Sequence, residues 1–122
     1  MKNSEFYKKL GQKLQEARKK TGLTQEQVAD FLGIHKVQLS YYENGTREIS
    51  IETLQQLADL YGYTLDYFIS DEETAAPAVS FSFRAENLEK EDLEIIALAN
   101  RFLINLEQMK MMLTSKKEGM KK

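Results

Sequence analysis

The chain has 122 residues, 42% hydrophobic and 30% charged, with one proline and no cysteine. That length holds one domain, or one small domain with an appendage, and the missing cysteines exclude disulfides and thiol catalysis and fit a reducing compartment. No run of about 18 apolar residues is present to span a membrane, and Met1-Lys2-Asn3-Ser4-Glu5 lacks the apolar stretch of a signal peptide, so the chain is expected to stay where it is made. The net charge of −2 is unevenly distributed: residues 1–50 hold nine Lys/Arg against six Asp/Glu, and residues 51–122 hold eight against thirteen. A basic half before an acidic half fits a polyanion-binding head and a partner-binding tail, and equally a chance segregation on a solvated surface.

Residues 6–20 read as a first helix, with Phe6, Tyr7, Leu10, Leu14 and Ala17 at three- and four-residue steps and a lysine-rich opposite face. Gly22 stops it. Thr24 and Gln27 form a capping box that starts a second helix. Val28, Ala29 and Leu32 are its apolar stripe, and Gly33 ends it. A third helix spans about Lys36 to Tyr42 and closes at Asn44-Gly45. Ser50 caps a fourth, whose expected buried face is Ile51, Leu54, Leu57, Ala58 and Tyr61. Thr64 caps a short fifth carrying Leu65, Phe68 and Ile69. Asp71 to Pro77 has no periodicity and reads as a linker. Val79, Phe81 and Phe83 alternate with polar residues, which predicts a short strand that needs a partner, such as its copy in another subunit. Residues 89–113 read as a long last helix, followed by a polar, frayed tail from Lys116.

Thr24 to Gly45 is the informative stretch. Two short helices meet at a tight turn, with Ala29 where they must cross closely and Gly33 where the chain must bend. This is the geometry of a helix-turn-helix, whose second helix enters the major groove. The first turn of that helix offers Lys36, able to donate to guanine O6/N7, Gln38, able to bind adenine bidentately, and Val37, able to meet a thymine methyl. Tyr41 lies one turn on from Val37 on the same face and is expected to reach a base edge or a phosphate. Ser40 is either a groove contact or a small spacer. Lys36 and Gln38 also suit an ordinary solvated surface. Asn44, Thr46 and Arg47 follow the helix and are expected to hold backbone phosphates. His35, the one histidine, suits a cap or a phosphate contact better than a metal site, which no cysteine is present to complete.

Through Arg18, Gly22-Leu23-Thr24-Gln25, Val28-Ala29, Leu32-Gly33-Ile34, Leu39-Ser40, Glu43-Asn44-Gly45 and Ile51-Glu52-Thr53-Leu54, the chain resembles the phage-repressor, or Xre-like, family of helix-turn-helix transcriptional regulators. The resemblance covers residues 5–69. It implies an all-α fold: a five-helix lambda-repressor-like DNA-binding domain at 1–70, followed here by a linker at 71–78 and by a segment at 79–122 comprising the short strand and the long C-terminal helix. It implies a dimer on a palindromic operator, a phosphate contact from Gln25, and a structural ion pair between Arg18 and Glu43. His35 departs from the family's Ser or Thr cap, and the third helix is unusually rich in tyrosine. No cofactor and no metal are expected, and the implied location is the cytoplasm of a bacterium or phage host, at the nucleoid.

In the last helix, Ile95, Ala99, Phe102, Leu106, Met109 and Leu113 recur at alternating four- and three-residue steps, the spacing of a coiled-coil seam. The seam either folds back on the head or pairs with a second chain. Pairing is favoured, because a reader of half-sites needs a two-fold axis and the linker separates seam from head. These residues are therefore the expected homodimer interface. Strand plus helix also resembles small regulators of mobile elements and antitoxin-like proteins, in some of which a partner metallopeptidase cuts this region. Two functions follow: a dimeric repressor of double-stranded DNA, or an antitoxin-like interaction protein that masks a regulatory protein partner through its C-terminal segment and autoregulates through DNA. An enzyme is not expected, since no P-loop, nucleophile elbow, metal cluster or paired-carboxylate site is present. The 45 or so residues after the linker leave little volume for a small-molecule pocket.

Overall fold

A computed structural model describes residues 2–70 and 88–120, with side chains described for 4–70 and 88–116. The linker expected at 71–78 and the strand expected at 79–83 lie outside these residues. Helix α1 (Lys2–Thr21) begins four residues before the apolar periodicity does, and α2 (Gln25–Leu32) follows after a short turn. Thr24 Oγ1 accepts the Gln27 amide at 3.1 Å while Gln27 Oε1 accepts the Thr24 amide at 3.0 Å, so two amides that α2 itself leaves unpaired are satisfied. Helix α3 (Lys36–Asn44) runs two residues past the expected end. His35 occupies its N-cap and makes no side-chain capping bond, a loss that typically costs about 0.5–2 kcal/mol relative to a capping residue. Helix α4 (Ile51–Tyr61) is capped by Ser50, and α5 (Leu65–Ile69) by Thr64.

Leu10, Leu14 and Ala17 of α1, Val28 and Ala29 of α2, Leu39 of α3, Leu54, Leu57 and Tyr61 of α4, and Phe68 of α5 meet in one core. Ile51 corrects the sequence reading. It stands at the first position of α4 and is 62% exposed, and the core place at this end goes to Ile49, one residue before the cap. A residue there enters the helix from the core side, where it can pack under the first turn. At the other end of the head, Lys13 of α1 donates to the carbonyls of Tyr67 (2.8 Å) and Ser70 (2.7 Å), and its ammonium lies 5.1 Å from the Tyr67 ring centroid. One lysine thus satisfies carbonyls at the C-terminal end of α5, as cations do at helix C-termini.

The long helix α6 (Lys90–Met120) begins close to its expected start and continues through the stretch that the sequence suggests is frayed. Its first half packs along α4 and touches α2. Leu93 and Ala97 belong to the same core as the head, and Asn100 and Ile104 continue that buried stripe at four-, three- and four-residue steps. Asn100 is 1% exposed, and its Nδ2 donates to the carbonyls of Asp59 (3.0 Å) and Leu60 (3.2 Å) in the last turn of α4. Helix α6 therefore lies against the head, which corrects the expectation that it is held apart from it. At 100° per residue, 93–97–100–104 lies opposite 95–102–106–113 on the helix. Folding back and the expected pairing are then not alternatives, because the first uses one face and the residues expected for the second lie on the opposite one.

Candidate nucleic-acid interface

The turn between α2 and α3 is closed by Gly33, whose φ of 74° lies in the left-handed region that favours glycine. Its amide donates to the Asp30 carbonyl at 3.1 Å, and the Ile34 amide to the Ala29 carbonyl at 3.0 Å, the paired bonds that end a helix sharply. Ala29 is buried at the crossing. The far end of α3 is pressed against α1. A Cβ on Gly11 would fall on the carbonyl oxygens of Tyr42 (2.6 Å) and Glu43, and one on Gly45 would fall 2.6 Å from Lys8 Cα. Gly45 also needs its positive φ of 76° to end the helix. Two glycines thus let α1 and the end of α3 approach backbone to backbone.

Behind this contact lies a buried polar cluster. Arg18 Nε donates to Glu43 Oε2 at 2.7 Å and Arg18 Nη2 to Glu43 Oε1 at 3.1 Å, a two-pronged pair of the kind a planar guanidinium makes with a carboxylate. Arg18 Nη1 also donates to the Leu23 carbonyl at 3.0 Å. Gln25, the first residue of α2, donates from Nε2 to Glu43 Oε1 at 2.9 Å. One carboxylate on α3 therefore collects donors from α1 and α2. The Tyr61 hydroxyl is buried and makes no hydrogen bond. Burial, and after it the negative charge of Glu43, push its pKa far above the ordinary tyrosine range.

The outer face of α3 holds the residues singled out as base readers. Lys36 is exposed, Val37 is 57% exposed, Tyr41 is 37% exposed, and Gln38 and Ser40 are half-buried. Gln38 Nε2 donates to the Tyr42 hydroxyl at 3.1 Å. The phosphate candidates are divided. Asn44, Thr46 and Arg47 are exposed just past α3, whereas the Gln25 side chain is turned onto Glu43. Thr46 donates to the Tyr41 carbonyl from its amide (3.0 Å) and its hydroxyl (3.2 Å), folding the loop back on the helix. Arg47 then lies with its guanidinium carbon 4.9 Å from the Tyr41 ring centroid, within the range of a cation–π contact. On α6, Ile95, Phe102, Leu106, Met109 and Leu113 are exposed and Ala99 is half-buried.

Three residues of this architecture do not stand out in the sequence reading: Gly11, Lys13 and Asn100. Gly11 has a usable signal, since glycine inside a helical period costs about 1 kcal/mol relative to alanine and usually has a packing reason. Among the described residues, no three His, Cys, Asp or Glu side chains come together as a metal site, and no helix is long and apolar enough to cross a membrane.

Two short helices joined by a glycine turn, the second held outward on a bundle, define a helix-turn-helix protein. The helix-turn-helix family model matches residues 14–68. The chain is 39% identical over 66 residues to the HTH-type transcriptional regulator ImmR of Bacillus subtilis (strain 168), covering 54% of this chain and 52% of ImmR. It is 37% identical over 62 residues to the cryptic phage CTXphi transcriptional repressor RstR of Vibrio cholerae, covering 51% of this chain and 56% of RstR. It is 34% identical over 82 residues to the uncharacterized HTH-type transcriptional regulator YobD of Bacillus subtilis (strain 168), covering 67% of this chain and 73% of YobD. The chain belongs to the Xre-type helix-turn-helix family. It spans about half the length of ImmR and of RstR. These relatives are named as regulators and none as an enzyme. No solved structure matches the chain.

Proposed function

We propose that this chain is a sequence-specific double-stranded-DNA-binding transcriptional regulator, a dimeric repressor that reads a palindromic operator with α3. The observation that carries the reading is the mounting of α3. Its inner side is fixed by the buried Arg18–Glu43–Gln25 cluster, while Lys36 and Val37 stand exposed on its first turn. In this reading Lys36, Val37, Gln38, Ser40 and Tyr41 face the bases, and Asn44, Thr46 and Arg47 hold phosphates. Gln25 contributes its place at the start of α2, with its side chain bracing Glu43. Residues 1–70 are the reader, 71–78 the linker, and 79–122 the dimerisation segment, whose helix also closes the reader's core. The ImmR and RstR names support a regulator and, for RstR, a repressor.

The test is selection of binding sites from a random duplex library with the full chain, followed by affinity measurements on the selected site. Lys36→Ala should cost about 1–3 kcal/mol there and relax the preference at one base pair. Loss of affinity that is equal on all duplexes would remove α3 as the base reader. Binding should also weaken steeply with salt, with a log–log slope of about 0.9 per phosphate neutralised. A flat salt dependence would remove the electrostatic part of the reading.

A further inference from the structure

We propose that the exposed stripe of α6 pairs antiparallel with the same stripe of a second copy, about a two-fold axis level with residue 104. This deepens the dimer reading above and rests on it. The stripe is Ile95, Ala99, Phe102, Leu106, Met109 and Leu113, and its five large side chains are 41–66% exposed. The opposite stripe is already spent on the head, through Leu93, Ala97 and the Asn100 bonds to α4. Head and stripe are thus fixed to each other by one rigid helix.

Orientation follows from size and charge. The steps between successive stripe residues are four, three, four, three and four, a pattern that reads the same from either end. Reversed on itself about residue 104, it sets Ile95 against Leu113, Phe102 against Leu106, and the small Ala99 against the long Met109. Each layer then fills. A parallel pair in register would set Ala99 on Ala99, leaving a void, and Met109 on Met109, crowding the next layer; both faults destabilise a packed interface. The charges agree. The start of α6 carries Glu91, Asp92 and Glu94, and its far end carries Lys110 and Lys116. The antiparallel register brings Glu91 and Asp92 level with Lys116 of the other copy. A parallel one lays acid beside acid, which costs stability in facing helices.

The chain has no cysteine, so Lys116→Cys accepts one nitroxide per copy. Twelve residues from the axis at 1.5 Å per residue, doubled, place the two label sites about 36 Å apart in the antiparallel pair. In a parallel pair they are separated only by the helix spacing of about 8–10 Å plus the reach of the labels. The expected result is a dimer mass by light scattering together with a dipolar distance near the long value, and a short distance for a label at Asn105→Cys, beside the axis. A short distance at position 116 in a protein of dimer mass overturns the antiparallel pairing and leaves the dimer standing. A monomer mass for the unmodified full chain overturns the dimer reading itself, and the pairing with it.

Discussion

Replacing Leu93 with alanine tests whether α6 is part of the head or merely tethered to it. Leu93 is 1% exposed and sits in the same apolar cluster as Leu57, Leu60 and Phe68, although it lies more than twenty positions further along the chain. Removing a fully buried leucine to alanine costs about 2–5 kcal/mol, the spread reflecting how far the site collapses. The site lies near the start of α6, where the helix can settle inward, so a value of about 3 kcal/mol is expected. With a urea slope of about 1.5 kcal/mol/M for a chain of this size, the unfolding midpoint should fall by about 2 M. That is a large share of the roughly 5–15 kcal/mol that holds a domain of this kind together. The assay is urea unfolding followed by helical circular dichroism, at protein concentrations low enough to keep assembly out of the balance. Leu98→Ala is the control: Leu98 lies on the same helix but is 71% exposed, and should cost no more than about 0.5 kcal/mol. If Leu93→Ala leaves the main transition in place, or if α6 melts in a separate earlier step, the helix is an appendage and the core ends at α5.

Three further outcomes follow from the geometry. Arg47→Ala should weaken binding to all duplexes about equally and lower the salt slope by about one unit; Tyr41→Ala should reproduce part of that loss while Tyr41→Phe, which keeps the ring under Arg47, should not, and equal losses for the two Tyr41 variants in affinity measurements would show that the hydroxyl is what matters. Tyr61→Phe removes a buried hydroxyl that has no hydrogen bond, so thermal unfolding should show unchanged or raised stability, by up to about 1 kcal/mol; a clear loss would reveal a partner for that group. Phe102→Glu places a charge on the exposed stripe of α6, 65% exposed in the single chain, and should yield a folded monomer with weakened operator binding, because two half-site contacts no longer act together; light scattering that still shows a dimer would move the interface elsewhere.

The head is legible in the sequence where its signals are local. The Thr24–Gln27 capping box and the glycine turn are set by residues three or four positions apart, and chemistry at that range leaves few alternatives. Ile51 misleads because the helical wheel assigns it to the core side, but at the first position of α4 it is exposed, and Ile49 reaches the core from outside the helix. Helix α6 is harder still. Its outer stripe has the larger apolar side chains, Ile95, Phe102 and Leu106, and so dominates any periodicity. The stripe that docks on the head is Leu93, Ala97, Asn100 and Ile104, with one small and one polar member. Asn100 reads as a surface residue until the carbonyls of Asp59 and Leu60, about forty positions away, are brought to it.

The candidate site shows the same division for a further physical reason. Lys36, Val37 and Tyr41 are legible because an outward face is defined by residue type and helical phase. What fixes that face is less legible. Leu39 is the one fully buried apolar side chain on α3, so apolar burial gives this helix little grip on the bundle. A helix that, in the proposed function, turns Lys36, Gln38, Ser40 and Tyr41 toward DNA cannot also carry a wide apolar stripe. The fold holds it instead by Glu43, a buried carboxylate on its last turn that takes donors from Arg18 of α1 and Gln25 of α2. Such a pair costs much of its own desolvation, and its main return is in geometry: removing one partner strands a buried charge, so the three helices keep one arrangement or lose several kcal/mol together. Gln25 suits a phosphate contact by residue type and position, and only the position of Glu43, eighteen residues away, shows where its amide goes.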